Sequence, residues 1–311
     1  MKKIYYFMLL YIGCSLNQGL SAQELYSHRF GEKGPPIDIQ RVIDRGRLVV
    51  AMHKNNYAPF FSDESGTLKG FDVDLAYDIA KTLNIPEVEF NRTSDSFDDV
   101  VKKVSEYKAD MAISYVSKTL TRQLKVLYTE PYIKLRTGIL VSRSYAAQNN
   151  ITEKNLLMAL NRKDATFAAE RGGAFREFTR NVFPEVKLIE APSRLDIYKS
   201  LVDRKIDAVY NEEYLIKVFF KKNPGQAIYY KPIYLENSED HISIAIPPDA
   251  YNLKEWLNLY LTFRREKVAF DNLYDKYVTS NVKDLNGNIE KTNLKPEQNE
   301  KSEKTEMKVG S

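Results

Sequence analysis

A single cysteine, Cys14, stands among 311 residues, and it lies at the end of an apolar N-terminal run. The body of the chain therefore has no partner with which to form an internal disulfide, whatever its redox surroundings. Histidine is nearly as scarce: His28, His53 and His241 are far apart in sequence, and no Cys/His cluster has metal-ligand spacing. A phosphate-cradling glycine loop of the nucleotide-binding kind and a nucleophile elbow are both missing, so neither a cofactor nor a metal is expected. The one marked apolar run, residues 4–12, is too short to cross a bilayer. Charge of one sign is lacking too, since 46 Lys and Arg face 42 Asp and Glu for a formal net charge of +4. Lys2 and Lys3 supply two of those charges, and the balance gives no electrostatic reason to expect nucleic acid or a membrane surface as partner.

The N-terminus and the C-terminus are different in kind from the middle. Lys2-Lys3 followed by apolar residues 4–12 is the charged start and hydrophobic core of an export signal, and Ser21-Ala22 offers a cleavage point before Gln23. Residues 1–22 are accordingly expected to be a signal peptide and the protein to be periplasmic. Gly13-Cys14 after the apolar run leaves a second possibility open, a lipoprotein with a lipid anchor at Cys14, although Tyr11 is bulky for that signal. Toward the other end Asn, Glu, Lys and Ser dominate, and residues 283–311 are expected to be a disordered polar tail, unable to bury enough surface to offset ordering entropy.

Between these ends, short β-branched or aromatic runs alternate with helical patterns, which is how an α/β chain with parallel sheets and crossover helices reads. Strands are predicted at 48–52, 88–92, 111–115, 138–142, 166–170, 187–191, 208–211 and 241–247. Helices are predicted at 71–83, 97–104, 152–160, 175–183, 193–202 and 212–220, and as a pair across 253–277. Phe71, Leu75, Ile79 and Leu83 fall on one face at four-residue spacing; Ser193 and Asn211 are candidate helix caps. Phe60 and Phe61 are assigned to the core, Asp72 and Asp74 to a solvated helix start. Ligands of such sheets bind at the carboxyl ends of strands, here the loops at 53–60, 115–122, 171–175 and 211–213.

Arg47-Leu-Val-Val-Ala-Met52, Tyr57-Ala-Pro-Phe60, Gly66-Thr-Leu-Lys-Gly-Phe-Asp-Val-Asp-Leu75, Ala109-Asp-Met-Ala-Ile-Ser114, Thr119-Leu-Thr-Arg122 and Tyr128-Thr-Glu-Pro-Tyr132 follow one another in order. The series resembles the first lobe of bacterial family 3 extracellular solute-binding proteins, and the resemblance extends over roughly residues 39–278. It implies a two-lobed type II periplasmic binding protein fold, each lobe a central, mostly parallel sheet flanked by helices, with two crossover strands as hinge. Lobe 1 would comprise residues 38–138 and 237–280, and lobe 2 residues 139–236.

The same resemblance assigns roles. Arg122 would clamp a ligand α-carboxylate, since guanidinium offers two parallel donors to it, with Ser117 assisting; the plain alternative is an arginine capping a helix. Tyr57 and Phe97 would wall the ligand's aliphatic stem, though Phe97 equally suits a core position at a helix start. Glu212 falls where the family places an aspartate for the α-ammonium, and an acid at a helix start is also favoured by the dipole alone. At Gly172-Gly173-Ala174 the usual hydroxyls are missing, which leaves the backbone N–H groups of Gly172 and Gly173 as donors. Lys54 stands where many relatives have an acid, and would repel basic ligands unless it points to solvent. Arg171 would gate the cleft or read a distal carboxylate, or be a surface residue. His53 and His241 would either meet in the cleft or be ordinary packed histidines.

The function so implied is that of a monomeric, non-catalytic receptor. It would bind a small carboxylate-bearing ligand, an amino acid that is polar or acidic rather than basic, and deliver it to an inner-membrane ABC permease by hinged cleft closure. Two alternatives remain open: a cyclohexadienyl or arogenate dehydratase on the same fold, which needs a protonated carboxyl such as Glu212, and a sensory or scaffold protein with a degenerate site.

Overall fold

The computed structural model describes residues 34–63, 66–264, 281–283 and 289–291. The expected signal peptide with Cys14, His28 and most of the second C-terminal helix and polar tail lie outside the described residues. At the start of the segment expected to be a tail, Asn281–Lys283 and Ile289–Lys291 pair as antiparallel strands. The dipeptide Asn286-Gly287 between them is a strong hairpin signal, which a reading by composition passes over.

The first lobe runs α1 (Ile37–Asp44), β1 (Arg47–His53), β2 (Ser62–Asp63), β3 (Leu68–Lys69), α2 (Phe71–Thr82), β4 (Glu87–Ser94), α3 (Phe97–Ser105), β5 (Met111–Ala112), α4 (Leu120–Gln123) and β6 (Leu127–Tyr128). Its sheet has the order β4-β1-β5, then the later strand Ala245–Ile246, then β6. β1 pairs in parallel with both neighbours. Its six residues from Leu48 to His53 are all buried, as a strand covered on both faces demands, and this is why it reads as an unbroken apolar run. α2 lays Phe71, Leu75 and Ile79 on the sheet. It can start where it does because residue 70 is glycine: φ is +138°, and a Cβ there would lie 2.2 Å from the Phe60 carbonyl oxygen.

The second lobe runs β7 (Ile133–Ser142), α5 (Arg143–Gln148), α6 (Leu156–Leu160), β8 (Thr166–Glu170), α7 (Phe175–Val182), β9 (Lys187–Ala191), α8 (Arg194–Val202), β10 (Ala208–Glu212), α9 (Glu213–Lys222) and β11 (Tyr230–Ile242). The sheet order is β11-β7-β10-β8-β9. Pairing is parallel among β10, β8 and β9 and antiparallel where β7 and β11 join, so each lobe's sheet is mixed. β7 and β11 are the two long strands that run between the lobes. The chain then returns through β12 (Ala245–Ile246) into the first sheet and ends its described core with α10 (Tyr251–Phe263). Each sheet carries a hydrophobic cluster on either face.

Three local expectations are corrected. The strand expected at 111–115 stops at Ala112, because the chain turns at Tyr115, whose φ is +51°. The return strand expected at 241–247 is two strands, one of them the 13-residue β11. Pro232 makes its first half look like a loop, yet β11 is an edge strand, where a missing N–H costs little. Asn211 does not cap α9: it lies within β10, Glu212 holds the cap position, and the Asn211 side-chain oxygen accepts from the Glu212 N–H at 3.0 Å. Ser193 does cap α8, accepting from the Asp196 N–H.

Candidate functional site

The two lobes meet around a cavity of about 40 Å3, room for a few water molecules. Phe97, Tyr115, Ser117 and Arg122 line it from the first lobe; Glu170, Gly173, Ala174, Phe175, Arg194, Tyr210, Asn211 and Glu212 are among those facing them. Most of these sit at the carboxyl ends of strands or at the helix starts that follow, as the placement rule for α/β sheets requires.

Arg122 is 4% exposed. Its backbone is fixed by Thr119, whose hydroxyl caps α4 and accepts the Arg122 N–H at 3.2 Å. The guanidinium donates from Nε to Asp98 Oδ1 at 3.0 Å, from Nη1 to the Ser117 carbonyl at 3.1 Å, and from Nη2 to the Gly172 carbonyl at 2.9 Å. Three of its five donors are thus spent on the protein, one of them across the cleft, and two remain for an anion. Asp98 itself reaches the second lobe through Arg176 at 2.9 Å. The expected Ser117 donor is occupied elsewhere: its hydroxyl donates to Asp240 Oδ2 at 2.7 Å.

Tyr57 and Phe97 pack into an aromatic wall with ring centroids 4.8 Å apart, and His53 packs 4.9 Å from Tyr57 and 5.0 Å from Phe97. Burial pushes the His53 pKa down to about 4, so it is a neutral packed histidine; His241 pairs instead with Glu239 at 3.4 Å. Tyr115 completes the wall. Its left-handed backbone is unusual for a bulky residue, and Asp72 holds it: Oδ2 accepts the Tyr115 N–H at 2.6 Å while Oδ1 accepts the Tyr132 hydroxyl at 2.9 Å. Asp72 is fully buried, not a solvated helix-start acid. The Tyr115 ring also stacks on Phe60 at 4.3 Å.

Acids gather opposite this wall. Tyr57 donates its hydroxyl to Glu170 Oε1 at 2.7 Å, and Tyr115 donates to Glu212 Oε1. Glu212 Oε2 and Asp240 Oδ1 are buried without a hydrogen-bond partner among the described residues. Burial pushes both carboxyls above the ordinary carboxylate range, and the Glu212 charge raises Asp240 further. The counter-charge is Arg194, the first residue of α8, whose guanidinium carbon lies 4.9 Å from the Tyr57 ring centroid and 5.6 Å from that of Tyr115.

Four expected ligand contacts are corrected. Lys54 is half-exposed and ion-paired with exposed Asp95 outside the cavity, so the repulsion assigned to it has no place in the cleft. Arg171 is exposed, with its N–H on the Ala191 carbonyl at 2.9 Å; it extends from the end of β8 to the surface. The Gly173 N–H is spent within its turn, on the Glu170 carbonyl at 2.9 Å. Gly172 contributes its carbonyl rather than its N–H, to Arg122 and to the Asp98 N–H at 3.1 Å. Arg122, Phe97, Glu212, Ser117 and Gly173 line one cavity, with Tyr57 behind Arg194. Glu170, Tyr115, Asp240 and Arg194 were missed. Glu170 ends a predicted strand and was findable by that rule; Arg194, one residue past a serine cap, carries no local mark.

A family model of bacterial extracellular solute-binding proteins, family 3, matches residues 48–280. Among curated proteins, the chain is 24% identical over 227 residues to the ABC transporter arginine-binding protein 1 of Escherichia coli, covering 71% of this chain and 86% of that one. It is 25% identical over 175 residues to the cyclohexadienyl dehydratase of Pseudomonas aeruginosa, covering 56% and 62%. Among solved structures, the amino acid ABC transporter substrate-binding protein AbpA of Streptococcus pneumoniae, bound to L-arginine, matches at 26% identity. Its TM-score is 0.60, and 76% of this chain and 97% of that one are covered.

Proposed function

The chain belongs to the bacterial extracellular solute-binding proteins, family 3, and from that membership we propose that it is a periplasmic receptor for a small amino acid with a neutral or acidic side chain, handed to an ABC importer. In this reading it is exported with residues 1–22 removed and acts as a monomer. One observation carries the ligand class. Arg122 from the first lobe and Glu212 from the second line the same buried cavity, the first with two donors unspent and the second with an acceptor oxygen that has no partner among the described residues. An α-carboxylate on Arg122 and an α-ammonium on Glu212 would complete both. A ligand held from both lobes favours the closed arrangement, and that is the form an importer can distinguish.

A titration series tests this. Neutral and acidic amino acids should raise the melting temperature in a concentration-dependent way, and Arg122→Ala should weaken binding about 10–100-fold, the loss of a charge-assisted pair of hydrogen bonds. If no amino acid shifts the wild type, or if Arg122→Ala binds unchanged, the receptor reading is wrong. A dehydratase reading has one point in its favour: burial favours the protonated form of Glu212, the state a general acid requires. Loss of prephenate absorbance on adding the protein would establish it in place of the receptor.

A further inference from the structure

We propose that Arg194 is a built-in occupant of a cation-binding cage in the cleft, so that the protein rejects guanidinium and ammonium side chains and would admit them once Arg194 is cut back. The inference rests on the receptor reading of the cleft and adds to it the residue that decides side-chain class.

The cage is made of groups that suit a cation. Tyr57 and Tyr115, 6.2 Å apart between ring centroids, lie within 4.9 and 5.6 Å of the same guanidinium carbon, inside the range at which a ring quadrupole attracts a cation. Each tyrosine hydroxyl donates to a carboxylate of the second lobe, Tyr57 to Glu170 and Tyr115 to Glu212. Both acids act electrostatically on Arg194. The rings belong to the first lobe and Arg194 to the second, so the contact forms between lobes as an incoming cationic ligand would form it.

Tethering decides the competition. Arg194 is the first residue of α8, fixed by the Ser193 cap behind it and by buried Ile197, Tyr198 and Leu201. An attached guanidinium is present at high effective concentration, and a free one must displace it from the tyrosine faces it now occupies. Lys54 plays no part, being paired with Asp95 outside the cavity.

The test uses a probe with no α-carboxylate and no α-ammonium. Methylguanidinium chloride, against sodium chloride at equal ionic strength, should raise the melting temperature of Arg194→Ala and Arg194→Ser in a saturable way, with apparent affinity at least about tenfold above wild type, a change of about 1.4 kcal/mol. Arg194→Lys, which keeps a tethered cation, should behave as wild type. Even if neither truncation folds, wild-type protein should show no shift with millimolar L-arginine or L-lysine. A shift of the wild type by either, or folded truncations that ignore methylguanidinium, overturns the proposal. The two readings fail separately: truncations that take methylguanidinium while no amino acid binds wild type keep the cage and lose the receptor, and the reverse result loses the cage alone.

Discussion

Asp72 spends its carboxylate on positioning Tyr115, and its pKa shows what that location costs. Burial pushes it up from 3.8 to about 7, against the pull of the Tyr132 hydroxyl and the Tyr115 N–H. A folded pKa above the unfolded one means that the native state keeps an extra proton between about pH 4 and 7, so this group makes stability fall as pH rises through that window. His53 works the other way. Its pKa is lowered by burial from 6.5 to about 4, the unfolded state holds the extra proton, and its contribution grows as pH rises over that range. Asp72→Asn removes the titration and turns one of the two accepting oxygens into a donor, which the Tyr132 hydroxyl meets by reversing its hydrogen bond. Urea denaturation from pH 4 to 8 should show a steeper rise of stability with pH in the variant, and a gain over wild type at pH 8 of roughly 1–4 kcal/mol. A variant several kcal/mol weaker at pH 8 would mean that the fold holds the charged form. Nothing in the Phe-Asp-Val-Asp pattern distinguishes Asp72 from Asp74, yet Asp74 is exposed and Asp72 buried; the difference comes from Tyr115 and Tyr132, distant in sequence, closing over it.

At the scale of elements, local chemistry was mostly sufficient. β8 and β9 occupy the spans their β-branched and aromatic runs predict, and α8 starts at the serine that caps it. Ser193→Ala should therefore cost about 0.5–2 kcal/mol in a urea titration, because only the Ser193 hydroxyl satisfies the Asp196 N–H among side chains at that helix start; no measurable loss would show that water replaces it. Local chemistry failed where an element's end is set by a partner. β10 runs on through Glu212 because it pairs with Thr137 of β7, which moved the helix start past Asn211. β11 extends through Pro232 because Leu140 and Ile139 of β7 hold its register on one side only.

For the whole molecule the contact between the lobes decides, and Gly172 sits on it. Its φ of +67° disfavours a side chain, and a Cβ there would lie 2.7 Å from Ser96 Cβ in the other lobe. Gly172→Ala should leave each lobe folded but hold them apart, giving a larger radius of gyration by small-angle X-ray scattering and at least tenfold weaker ligand binding, the effect of about 1.4 kcal/mol. An unchanged radius together with unchanged affinity would mean that the lobes close without this contact. The amino-acid order by itself determined the α/β alternation, because strand and helix periods are local properties, and its ordered motifs carried the family. Only the tertiary structure decided which cation lies inside the cleft: Lys54 turned outward to Asp95, and Arg194 turned inward against two tyrosines. Side-chain charge is written in the sequence, but the neighbours that take it out of water come from the opposite lobe, and they meet it only when the two sheets are brought face to face.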